Sequence, residues 1–368
     1  MLVVDGKAYV GGEVKPLIFG PSGETAGPVV AIDWDPNATG PGTKGCVPAD
    51  YGDLPPNAIV LVRSGPCYRR DEVLAAQAAG AAGFIAGIPG LPAGVVLRPT
   101  LIAPDGIAIP VASVSAEVAQ ALADAAARGG AARLETHARV RLTETVSILA
   151  ELAGTKPDAV LMLGAHLDSV IDGPGINDNA SGVAALLEIA RALAGTQATA
   201  TIRLAFWTGE EEGLQGSRHY VRSLTRTDVQ AIAVYLNVDM VGSPNGFVGI
   251  YDEPSAPSGS ASVRALLAAG LTRLGATPIG IDIGGGSDHV PFQQAGIPTG
   301  GVFSGASEVL DAAQAATFGG TAGARADTCY HLACDGIDNV NLALARLLTA
   351  GLADLAVRLA TTPTLVQR

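Results

Sequence analysis

With 368 residues, 48% of them apolar but only 4% aromatic, the chain carries enough hydrophobic material for two cores built from small aliphatic side chains. Its 35 acidic and 23 basic residues give a formal charge of −12, which excludes a surface made to displace counterions from nucleic acid. The most apolar stretch, "VLAAQAAGAAGFIAGIPGLPAGVVL" from Val73, is broken by Gln77, Pro89 and Pro92, so no membrane span is expected.

The opening "MLVVDGKAYV" lacks a basic segment followed by a long apolar one, and no signal peptide is visible in it. Residues 1–143 carry short apolar runs punctuated by "GPSGETAGP", "DPNATGPGTKG" and "LPPN", which predicts a smaller, β-rich domain with many loops. One helix is expected there, "RRDEVLAAQAAGAAG", between the strands "AIVLV" and "FIAGI". From residue 144 to 368 the rhythm changes. Strands "VSILAEL", "AVLMLGA", "TIRLAFWT" and "AIAVYLNVDMV" alternate with helices over "SGVAALLEIARALAG" and from Gly213 onward. That pattern predicts an α/β fold, a mixed, mostly parallel sheet with helices on both faces. The four cysteines, Cys46, Cys67, Cys329 and Cys334, fall into two local pairs without zinc-ribbon spacing. Two disulfides in an exported protein and four reduced core thiols in a cytosolic one are both compatible with that count.

The ionisable residues of the second half gather at one kind of place. His166 and Asp168 end a strand in "GAHLDSV", Asp178 begins a helix, Glu210 and Glu211 follow "TIRLAFWTG", and Asp239 ends "AIAVYLNVD". Strand carboxyl ends share one rim of an open α/β sheet, and ligands bind at that rim. Each residue alone has a plainer reading: a satisfied core histidine with an N-capping Asp168, or an acidic helix start favoured by the macrodipole. Together, and with a later His331 in "CYHLACD", they form a set of imidazoles and carboxylates without thiolate, the donor set of a catalytic zinc site. Five ligands exceed what one open zinc uses, whereas two metals sharing a bridging carboxylate would use them all. Asp178, set among the glycines and asparagines of "GPGINDNASG", is the bridge expected. Asp168 is expected to accept the second ring N–H of His166 and fix its tautomer. The adjacent Glu210 and Glu211 can divide proton transfer and metal binding.

The strings "GAHLDSV…GPGINDNASG", "FWTGEEEGLQGS", "LNVDMVGSPN", "GGSDHVPFQQAGIPTGGVFSGA" and "GGTAGARADTCYHLACD" resemble, in order, the secreted bacterial di-zinc aminopeptidases of the M28 metallopeptidase family. The resemblance implies a zinc exopeptidase fold holding two zinc ions. His166 and Asp239 would hold one, Glu211 and His331 the other, with Asp178 between them, Glu210 as general base and Tyr330 as oxyanion donor. It implies a Cys329–Cys334 disulfide and a cis peptide after Asp178. "GCVPADYGDLPPNAIVLVRSGPCYRRDEVLAAQAAGAAGFIAGI" is similar to the protease-associated (PA) domain, in which Cys46 and Cys67 fit a disulfide. The implied protein is a secreted monomer that takes peptide or protein N-termini, those with apolar first residues, as substrate. Calcium is not legible in the sequence.

Two departures stand out. Gly286 occupies the place of an arginine that precedes "SDH" in the family pattern, and the helices that normally precede the PA region are not seen, which would leave apolar surface exposed. Ser287, Asp288 and His289 are too close in sequence to face one another as a nucleophilic triad and are expected to support the pocket. His137 and His219 are expected to be exposed or capping. Trp34 and Trp207 read as packing residues, with a place in the pocket wall open to Trp207. The competing readings are a glutaminyl-cyclase-like single-zinc acyl transferase and a catalytically silent PA/peptidase-like binding protein.

Overall fold

The computed structural model describes residues 1–38, 42–141 and 143–366, so the middle of the "DPNATGPGTKG" loop lies outside the described residues. The chain divides into two compact units, Met1–Glu144 and Thr145–Arg368.

The first unit is built on eight strands: β1 (Leu2–Val4), β2 (Lys7–Tyr9), β3 (Val14–Pro16), β4 (Gly23–Ile32), β5 (Ile59–Arg63), β6 (Gly83–Gly87), β7 (Val111–Val114) and β8 (Ala131–Thr136). Their order is β2-β1-β8-β4-β5-β6-β7-β3, with β4 to β7 parallel and the outer pairings antiparallel. The alternation along β5 sets the layers. Ile59 and Leu61 point into a core shared with helix α2 (Ala116–Ala127), while Val60 and Val62 pack with α1 (Arg69–Ala78) on the other side. Helix α2 was not expected from sequence, although Ser115 caps it by accepting a hydrogen bond from the Val118 N–H. A Cys46–Cys67 disulfide closes the loop before α1, where Arg69 and Glu72 form a buried ion pair.

The second unit carries a seven-stranded sheet: β9 (Ile148–Leu152), β10 (Lys156–His166), β11 (Ala200–Trp207), β12 (Ile232–Val238), β13 (Gly249–Tyr251), β14 (Ile279–Ile281) and β15 (Thr299–Phe303). The order β14-β13-β15-β12-β10-β11-β9 puts β10 in the interior of the sheet, between β12 and β11. It runs parallel to both neighbours, β11 and β12, while β9 and β13 supply antiparallel pairings. Helices α3 (Gly182–Leu193), α6 (Ser260–Arg273) and α9 (Leu342–Thr361) bury Leu186, Ile189, Leu267, Leu271, Leu352 and Leu355 against one face. Each such side chain contributes about 1.5–3 kcal/mol by leaving water. Helices α4 (Gln215–Ser223), α5 (Arg226–Ala231) and α7 (Val290–Gln294) cover the other face around Trp207, Tyr235 and Phe292. Helix α8 (Ala312–Phe318) lies in the connection after β15. Among the described residues no helix is long and apolar enough to cross a membrane.

Candidate metal centre

The carboxyl ends of β10, β11 and β12 deliver the first residues of the site. His166 is the last residue of β10 and is fully buried. Its Nδ1 lies 2.9 Å from the main-chain carbonyl of Asp168, an acceptor that fixes a proton there and leaves Nε2 facing inward. Nε2 stands 3.3 Å from Asp178 Oδ1 and 3.4 Å from Asp239 Oδ1, the latter just beyond β12.

On the opposite side, His331 Nε2 lies 3.0 Å from Asp178 Oδ2 and 3.1 Å from Glu211 Oε2. His331 takes a left-handed backbone conformation (φ 60°) in a loop closed by the Cys329–Cys334 disulfide. Burial opposes ionisation of Asp178, yet hydrogen bonds from both imidazoles hold its carboxyl well below the usual range. The acid therefore sits as an anion between two histidines, one oxygen toward each.

Asp178 owes its aim to the turn Ile176–Ser181 that leads into α3 and contains a cis Asp178–Asn179 peptide. Polar side chains hold this turn. Asp335 accepts the N–H groups of Asn177 (2.8 Å) and Asp178 (3.1 Å), and Asn179 accepts those of Gly182 and Met240 while donating to the Val238 carbonyl. Asn177 accepts from the Gly242 N–H and donates to Asp327; Ser181 accepts from the Val241 N–H. The asparagines belong to the segment expected to aim Asp178, whereas Ser181, Asp327 and Asp335 escaped the sequence reading because Asp and Ser also mark ordinary turns.

One expectation is corrected. Asp168 does not use its carboxylate on His166: that group is 3.8 Å from Nδ1 and instead accepts the main-chain N–H groups of Glu210 and Glu211, both at 3.1 Å. The strand ends at His166, so the two-residue alternation no longer applies and the carboxylate turns toward the loop after β11. Glu210 is partly buried, and desolvation together with the charges of Glu211, Asp288 and Asp239 pushes its carboxyl well above the usual range, against the opposing pull of His166. Tyr330 stacks on the His331 ring with centroids 3.8 Å apart. Burial and the nearby Asp178 and Glu211 charges raise its hydroxyl, so it remains a proton donor.

A cavity of about 210 Å³ opens on the cluster. Met240, Tyr251, Ile283, Phe303 and Ala306 line it beside the acids, Gly286 takes the expected arginine place, and no Lys or Arg is among its described lining residues. Trp207 is no part of that wall; it is fully buried and its Nε1–H donates to the Tyr235 hydroxyl. Ser287 donates to Asp239 Oδ2, Asp288 accepts from Ser217 and is pushed up to about 7 chiefly by burial, and His289 pairs with Glu253 at 2.9 Å. His137 and His219 are exposed.

The donors suit a metal. Two sets, His166–Glu210–Asp239 and Asp178–Glu211–His331, each bring ligand atoms within 4.8 Å of one another. Among the described residues, the buried oxygens Glu211 Oε1 and Asp239 Oδ1 accept no hydrogen bond, an unfavourable state that a cation would relieve.

Residues 147–356 match peptidase family M28 and residues 25–122 match the PA domain. The chain belongs to peptidase family M28. It is 37% identical over 340 residues to an aminopeptidase of Pseudomonas aeruginosa strain UCBPP-PA14, covering 87% of this chain and 61% of that protein. It is 35% identical over 349 residues to a probable leucine aminopeptidase 2 of Aspergillus fumigatus, covering 92% and 67%. The fold is that of an aminopeptidase from Aneurinibacillus sp. strain AM-1, with a TM-score of 0.72, 23% identity and coverage of 98% of this chain and 79% of the other. The chain thus spans about three fifths of the length of the Pseudomonas relative.

Proposed function

We propose that the protein is an exported zinc aminopeptidase that removes N-terminal residues, preferably apolar ones, from peptides. The observation that carries this reading is the Asp178 carboxylate, which presents one oxygen to each of two histidine–carboxylate sets. His166 with Asp239 and His331 with Glu211 would hold two zinc ions, with Asp178 shared between them. When bound, zinc supplies Lewis acidity to the scissile carbonyl and lowers the pKa of water.

The chain's own groups supply the rest. Glu210, held by its main-chain N–H on Asp168 and raised by burial, is placed to take a proton from the attacking water and return it to the leaving amine. The protonated Tyr330 hydroxyl can donate to the developing oxyanion. A cavity with acids and no lining Lys or Arg favours a free α-ammonium, and Met240, Ile283 and Phe303 offer apolar contact to the first side chain. Two disulfides support an oxidising compartment. The reading is of a monomer.

The test is hydrolysis of aminoacyl-p-nitroanilides and their N-acetylated counterparts, with zinc counted by mass spectrometry and Glu210→Ala alongside. Two zinc ions per chain, cleavage only of free amines, and loss of turnover with zinc retained in the variant are expected. One zinc per chain with acyl transfer to the substrate's own amine, or full zinc loading without turnover, would overturn the proposal.

A further inference from the structure

Beneath the metal centre lies a line of buried polar groups that the proposed chemistry does not use. Trp207 Nε1–H donates to the Tyr235 hydroxyl (2.8 Å), and Tyr235 donates to Asn237 Oδ1 (2.9 Å). Asn237 Nδ2 donates to Ser287 Oγ (2.8 Å) and to the Tyr251 hydroxyl (3.0 Å), and Ser287 donates to Asp239 Oδ2 (2.5 Å). Trp207, Tyr235, Asn237 and Ser287 are each at most 1% exposed, so no water competes for these bonds.

The direction of the line follows from its first member. An indole N–H can only donate, so the Tyr235 oxygen receives it and must send its own hydrogen onward. Asn237 must then turn its carbonyl oxygen to Tyr235 and its NH₂ to Ser287. The serine oxygen, already receiving that hydrogen, gives its own to Asp239. Gly164 makes room for the line: a Cβ there would stand 2.2 Å from the Tyr235 oxygen and 2.5 Å from the indole nitrogen.

We infer that Trp207, Tyr235, Asn237 and Ser287 are positioning residues that commit Oδ2 of Asp239 to the protein and leave Oδ1 for metal, with the indole fixing the polarity of every bond between. Oδ1 is the buried oxygen that accepts no hydrogen bond. The inference rests on the proposed role of Asp239 as a ligand. It concerns how that carboxylate is oriented. Without the serine hydrogen both oxygens compete for the cation and the carboxylate is free to rotate.

Zinc affinity of the metal-free protein, measured by competition with a chromophoric chelator, tests it without reference to turnover. Ser287→Ala should weaken one of two zinc sites by about 10- to 100-fold and leave the other unchanged. Asn237→Asp, almost the same shape, offers Ser287 a carboxylate in place of a donor, draws its hydrogen away from Asp239 and should weaken the same site. Circular dichroism establishes that each variant is folded, and if Asn237→Asp does not fold the smaller Ser287→Ala change carries the test alone. Wild-type affinities at both sites in folded Ser287→Ala would overturn the relay. A wild-type protein that binds no zinc would overturn the ligand assignment first, and the relay with it.

Discussion

Replacing Asp168 by asparagine should slow peptide hydrolysis without emptying the metal positions. The side chain is 23% exposed and its two oxygens accept the N–H groups of Glu210 and Glu211 at 3.1 Å each. Asparagine can keep one of these bonds, but its NH₂ must then face the other N–H. A hydrogen bond to a charged group contributes about 1.5–3 kcal/mol, and partial exposure places this one near the lower end. A loss of about 2 kcal/mol in holding Glu210 corresponds to roughly a 30-fold fall in kcat at 1.36 kcal/mol per decade. His166 keeps its tautomer in the variant because its Nδ1 proton rests on the Asp168 carbonyl, which the substitution leaves in place. The assay is kcat and KM on leucyl-p-nitroanilide with zinc counted on the same sample. Wild-type turnover would refute the reasoning, and so would zinc lost in step with activity, since that would return the carboxylate to the service of His166.

Asp178→Asn should lower zinc content at both positions together, because one anionic group faces both histidines; elemental analysis of the dialysed variant decides it. Converting Cys329 and Cys334 to serine opens a loop closed across five positions, which should cost about 2 kcal/mol by loop entropy and is measured by denaturant unfolding. Glu72→Ala strands the buried Arg69, 8% exposed, and should destabilise the first unit by about 3–5 kcal/mol in the same measurement. Gly164→Ala should cost about 1–3 kcal/mol through the contact with Tyr235 and Trp207, read as a lowered melting temperature.

The residues of the candidate site stood out in the sequence because the expected chemistry uses unusual residue types at strand ends: a histidine closing "AVLMLGAH" and an aspartate closing "AVYLNVD" have few other reasons to be there. Strand alternation and the helical pattern of "SGVAALLEIARAL" likewise announce a layered sheet. Helix α2 was missed because seven of the twelve residues of "AEVAQALADAAA" are alanine, which makes its buried stripe of Val118, Ala119, Leu122 and Ala125 hard to distinguish from its other faces. The partners of Asp178 and Asp239 were illegible for a different reason. Asp335 lies 157 residues from Asp178 and Ser287 lies 48 from Asp239, and polar contacts at such separation leave no period in the sequence. The role expected of Asp168 failed on one local detail, the end of β10 at His166.

The two histidines stand on unlike ground. His166 is the last residue of β10, an interior strand held between β11 and β12, and is itself paired with Trp207 of β11, so it can shift only if the sheet shifts. His331 belongs to a short loop in a left-handed backbone conformation, tethered by a covalent bond that a reducing milieu would cut. The centre is therefore mechanically lopsided, with one stiff jaw and one hinged jaw closing on the same carboxylate. Thiols and heat should loosen the His331 side first, so that loss of metal proceeds in an order written by the backbone.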